Sequence, residues 1–201
     1  MRVILDVGPS AYTMLDICYH LLLSRGLLEL ISDLCHYTAS LNLWFESSSD
    51  PNEALGLQTQ SSVLEHRLIR YITVSNSVIS TLEQTLCLSM LAFVVKSSAP
   101  DDQSFDPLQF TVTQRLYSSI TALGLQSWEL PPELQLWIHT IAAMSAQHSI
   151  EEQLFLRFAR SSSQALGLNT FEAFLAQLKK CLWVSSKLNR GAEWVWDAIM
   201  S

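Results

Sequence analysis

The stretch that decides the fold reads LPPELQLWIHTIAAM (130–144), SIEEQLFLRFARSSSQALGLNTFEAFLAQLKKCLW (149–183) and NRGAEWVW (189–196). Apolar residues recur there at helical spacing, and each run is punctuated where a helix should start or stop. Pro131-Pro132 presets the backbone for a helix, after which Leu134, Trp137, Ile138, Ile141 and Ala142 share one face. Ser149-Ile-Glu-Glu152 has the form of a capping box ahead of the stripe Leu154, Phe155, Phe158, Ser162, Ala165 and Leu166. Gly167-Leu168 reads as a Schellman stop, the glycine taking a positive φ and the leucine folding back. Asn169-Thr-Phe-Glu172 opens a further helix with Phe171, Phe174, Leu175, Leu178 and Leu182 inward. A single cap contributes only about 1 kcal/mol. Agreement between caps and stripes carries the prediction.

Working outward, the same punctuation covers the rest of the chain. Ser10 is placed to cap a helix ending near Arg25, with Gly26 as its left-handed stop. A second helix is expected from about Leu27 to Phe45, with Leu27, Leu30, Ile31, Leu34 and Leu41 as its stripe. Loop breaks are expected near 47–53, around Pro51, and near 97–107, where two prolines and three aspartates fall together. Ser62-Val-Leu-Glu65 fits a capping box for a helix running to about Thr73, and after a break near Asn76 another runs to Lys96. Leu108 to Leu123 reads as a helix stopped by Gly124. Ala-Leu-Gly-Leu recurs at Ala54, Ala122 and Ala165 at unequal spacing, which points to shared helix-stop chemistry and not to a solenoid. No strand pair or hairpin signal occurs. The expected fold is all-α, a multi-helix bundle-like domain spanning 1–201 without a sheet, or the C-terminal part of a larger such domain.

Composition narrows the function classes. The 201 residues are 49% apolar and only 15% charged, with a net charge of −7. Arg67/Arg70, Arg157/Arg160 and Lys179/Lys180 are isolated pairs, not the basic stripe that phosphate contact requires, so no direct nucleic-acid contact is expected from this chain alone. Cys18, Cys35, Cys87 and Cys181 lie far apart, beside apolar stripes, with no zinc-site spacing. They read as reduced, packed thiols, which favours a reducing compartment over a disulfide framework. The longest uncharged apolar run, Gln84 to Val95, is too short to span a bilayer, and no membrane association is expected.

Chemistry-bearing motifs are few. Asp101-Asp102-Gln-Ser-Phe-Asp106 resembles the magnesium–diphosphate motif of terpene cyclases, but it lies between Pro100 and Pro107 without a second cluster of oxygen ligands. An acidic surface loop is the simpler reading. No nucleophile elbow or glycine-rich phosphate loop is present. His20, His36, His66, His139 and His148 are dispersed, His20 and His139 beside apolar stripes and His66 on a solvent face. No catalytic, cofactor-binding or metal-ligating residue is assigned, and the chain is expected not to be an enzyme. Among the six tryptophans, Trp137 and Trp183 fall on inward stripes, whereas Trp44, Trp128, Trp194 and Trp196 fit either packing or a partner surface.

The run Pro132 to Trp137, Ala142-Ala143, Phe155, Ala165-Leu-Gly-Leu168, Phe171-Glu172, Leu178, Leu182-Trp183 and Gly191 to Trp194 resembles the end of the fungal-specific transcription factor domain. That domain is the helical regulatory region found downstream of binuclear zinc-cluster DNA-binding domains. The match is best over 130–196 and compatible over most of the chain. The resemblance implies a nuclear, non-enzymatic regulator of transcription, often of a biosynthetic pathway of secondary metabolism, acting through protein contacts, a dimer partner or a small-molecule effector. The six closely spaced cysteines of the zinc cluster are absent. The expected protein is thus the regulatory half of such a factor, truncated or working without direct DNA binding. A helical enzyme or accessory protein acting on a hydrophobic metabolite is the alternative, and a polar, carboxylate-lined pocket would distinguish it.

Overall fold

A computed structural model describes residues 9–47, 51–74, 79–98, 107–123 and 130–201. Nine α-helices run through these residues, which contain no strand. They are α1 (Pro9–Tyr19), α2 (Arg25–Ser47), α3 (Pro51–Val74), α4 (Thr81–Ser98), α5 (Pro107–Leu123), α6 (Pro132–Ser145), α7 (Glu152–Ala165), α8 (Phe171–Leu178) and α9 (Ser185–Met200). The all-α, bundle-like architecture expected from the stripes is the one observed.

Two helices buried on nearly every side occupy the centre. On α4 nearly every residue from Glu83 to Val95 is buried, and on α6 the same holds from Leu134 to Ser145. A helix that is apolar all round must be covered all round. Accordingly α4 packs on α3, α5, α6 and α9, while α6 also meets α5, α7, α8 and α9. The apolar run Gln84 to Val95 is therefore a core helix. No helix of the described residues is long and apolar enough to cross a membrane. The outer helices turn a single stripe inward, as in α9 with Leu188, Ala192, Val195 and Ile199. The buried residues of all these helices form one continuous core.

Several helix ends differ from the sequence expectation. The first helix stops at Tyr19, and Gly26 lies in the first turn of α2. The cause is Ser24, whose hydroxyl accepts from the Leu27 N–H (3.4 Å) and whose own N–H donates to the Glu83 carboxylate (2.6 Å). That carboxylate sits at the α2 N-terminus, where the helix dipole favours negative charge. Pro51 opens α3 as its first residue, so Ser62 and Gly56 fall inside one long helix. The Ser62 hydroxyl donates back to the Gln58 carbonyl (3.1 Å) and caps nothing. At α7 the reciprocal bonding is displaced by one residue. Glu152 Oε2 accepts from the His148 N–H (2.6 Å), and Ser149 Oγ accepts from the Glu151 N–H (3.2 Å). The cap of α8 is Thr170, not Asn169, with Oγ1 accepting from the Ala173 N–H (3.2 Å). The expected stops at Gly124 and the break at Asn76 lie outside the described residues.

The Schellman stop is present as read. Gly167 has φ 64°, its N–H donates to Gln164 O (2.9 Å), and the Leu168 N–H donates to Ser163 O (3.0 Å). Trp137 and Trp183 are buried, while Trp44, Trp194 and Trp196 are half-buried and packed against the core. Trp128 lies outside the described residues. All four cysteines are buried free thiols, and burial pushes Cys18, Cys35 and Cys87 up to about 12. At Gly191 α9 comes so close to α6 that an added Cβ would meet the Met144 side chain.

Candidate functional site

Among the described residues, two adjoining helices and the end of a third border a concavity centred on a buried histidine. α6 presents Gln135 and His139, four residues apart and so on one face; α7 presents Phe158, Ser161, Ser162 and Ala165 at the same helical spacing; α5 adds Ile120. The space between them is about 310 Å³, at the small end of the range for ligand pockets.

His139 is the chemical centre of this cavity. Only 6% of it is exposed, its Nδ1 lies 2.8 Å from Ser162 Oγ, and its ring stacks on Phe158 at 5.3 Å between centroids and 25° between planes. Burial pushes the imidazole down to about 4, and a backbone hydrogen bond at Phe158 acts the other way. The ring is therefore neutral at neutral pH. Gln135 is held by donation from Nε2 to Leu130 O (2.9 Å). Among the described residues, none of those lining the cavity is a lysine, arginine, aspartate or glutamate.

A serine hydroxyl on an imidazole has the contact distance of a nucleophile and its base. The surroundings favour recognition over bond cleavage. Ser162 lies inside α7, where backbone N–H groups are spent on the helix's own hydrogen bonds and none converges as an oxyanion hole. A base pushed down to about 4 is also poorly matched to proton abstraction near neutral pH. What the cavity offers is a flat aromatic wall beside several uncharged donors and acceptors.

A second concavity lies between the C-terminal half of α2 and the start of α3. Trp44 lines both of its adjoining lobes, of about 330 and 470 Å³. Phe45 stands at its edge with Lys187 Nζ 5.7 Å from the ring centroid.

The residues singled out in the sequence disperse in space. Asp101, Asp102 and Asp106 lie outside the described residues. Among the described residues no group of three or more histidine, cysteine or acidic side chains is placed to hold a metal ion. His66 is solvent-exposed as expected; His20, beside its apolar stripe, is exposed too, because α1 ends before it. Of the basic pairs, Arg67 binds Asp33 (2.6 Å) and Lys180 binds Glu133 (3.5 Å). The His139–Ser162 pair was not anticipated. Its trace in the sequence is a polar residue interrupting each of two neighbouring apolar stripes, which is informative only once the stripes are known to face one another.

Compared with family models, with curated proteins and with solved structures, the chain shows no match.

Proposed function

We propose that this protein is a helical transcription-regulatory domain of the fungal zinc-cluster type, working in the nucleus through protein contacts or a bound effector and without a DNA-binding motif of its own. The observation that carries the reading is the role of the residues on which the resemblance rests. Trp137, the Ala165 to Leu168 stop, Leu182-Trp183 and Gly191 lie at the joints where α6, α7, α8 and α9 meet. Trp137 Nε1 donates to Leu182 O (2.8 Å) and Trp183 Nε1 to Asn189 Oδ1 (2.9 Å), so this set of residues acts as one packing unit.

Both expected modes of action have a physical counterpart. Phe110 and Ile150, 51% and 92% exposed, border a common concavity of about 440 Å³ with an otherwise polar lining, and these two exposed apolar side chains support contact with a protein partner. The His139 cavity gives a place for an effector. The test is a tether experiment. Fused to a foreign DNA-binding domain, the chain is expected to raise or lower transcription of a reporter carrying the matching site. A fusion that is expressed, nuclear and without effect in either direction overturns the proposal.

A further inference from the structure

We infer that the cavity between α5, α6 and α7 binds an uncharged, flat, aromatic small molecule carrying a hydroxyl or carbonyl group. As the effector of the domain, this ligand rests on the regulatory reading above; as a ligand of the cavity, it rests on geometry alone.

Size sets the first limit. A space of about 310 Å³ accepts a molecule of roughly two fused rings and not a peptide or a long lipid chain. Shape sets the second. The Phe158 ring, stacked with His139, makes a planar wall, and Ile120 and Ala165 supply aliphatic contact. Aromatic faces pack on such a wall in offset stacks.

Charge sets the third limit, and it excludes most. The polar lining consists of Gln135, His139, Ser161 and Ser162. Each can donate or accept a hydrogen bond, and His139 is neutral at neutral pH. With no ionic side chain among the described residues of the lining, a carboxylate or ammonium moved into this space would be desolvated without a counter-charge. A hydroxyl or carbonyl faces no such penalty.

Calorimetry on the full chain tests this with naphthol and naphthoate, which share a ring system and differ in charge. Naphthol is expected to bind saturably, with naphthoate about tenfold weaker or more. Ala165 and Ser161 stand on the exposed rim, so filling the cavity from there leaves the core untouched. Ala165→Trp is expected to weaken naphthol binding about tenfold or more while circular dichroism stays unchanged. If that variant does not fold, Ser161→Trp serves the same purpose. Absence of naphthol binding, naphthoate binding as tightly as naphthol, or naphthol binding unchanged in a folded rim variant each overturns the inference. The reporter result stands or falls separately, because none of these titrations depends on transcription.

Discussion

The indole N–H of Trp137, on α6, donates to the backbone carbonyl of Leu182, 2.8 Å away in the turn before α9. Both residues are buried, so this one bond ties the central helix to the chain that returns beneath it. A buried carbonyl without a donor costs the desolvation of that group, and a tryptophan replaced by a smaller ring leaves a void as well.

Trp137→Phe is accordingly expected to cost about 2–3 kcal/mol. Trp183→Phe leaves a similar void but loses a bond to Asn189, a half-buried side chain that can turn to water, and is expected to cost about 1 kcal/mol less. Urea unfolding of the two variants checks the order. Equal losses would mean that the Trp137 bond does not bear the weight assigned to it.

Gly56 and Gly167 sit in the same Ala-Leu-Gly-Leu sequence and should respond oppositely to alanine. Gly167 has φ 64°, so Gly167→Ala is expected to destabilise by about 1 kcal/mol. Gly56 lies inside α3 with nothing within 4 Å of an added Cβ, so Gly56→Ala is expected to stabilise by about 0.5–1 kcal/mol. Thermal melts should move in opposite directions, by about 2–4 °C per kcal/mol for a chain of this length. Shifts of the same sign would contradict the assigned backbone geometries.

Burial of His139 makes stability depend on pH. Its folded pKa, about 4, lies below the ordinary imidazole value of 6.5. Between those values the unfolded chain binds the additional proton, so stability rises with pH. His139 therefore costs nothing above pH 6.5, and its penalty grows as pH falls toward 4. The full effect is of the order of 3 kcal/mol. Urea midpoints measured from pH 7 to pH 4 should fall for the native chain and fall less steeply for His139→Gln. Parallel profiles would exclude His139 as the source.

Periodicity was enough to read the all-α class, the stripe of α2, the run of α6 and the stop after α7, because these depend on neighbours within a turn or two. Gly167 and Leu168 satisfy the end of α7 with the helix's own carbonyls, and such local chemistry is written in adjacent residues. The same logic misplaced the first helix end, because Glu83, the partner of the Ser24 N–H, lies far along the chain, and it read Gly56 as a stop although α3 runs through it from Pro51. The His139–Ser162 contact was equally hidden: each residue was visible on its own stripe, but not the packing of α6 on α7 that brings them to 2.8 Å.

By itself, the sequence determined the all-α class and most of the helical segments with their buried faces, through spacing and local capping, though not the start of α3. Only tertiary structure decided where some helices begin and what lies in the cavity wall. The start of α9 shows why. No side chain of its own N-cap satisfies it; instead Asn42, on α2, accepts from the Ser185 N–H (3.4 Å) and donates to the Trp183 carbonyl (2.8 Å). A hydrogen-bond partner that distant in sequence is fixed by the packing of buried surfaces, and a local pattern carries no record of it.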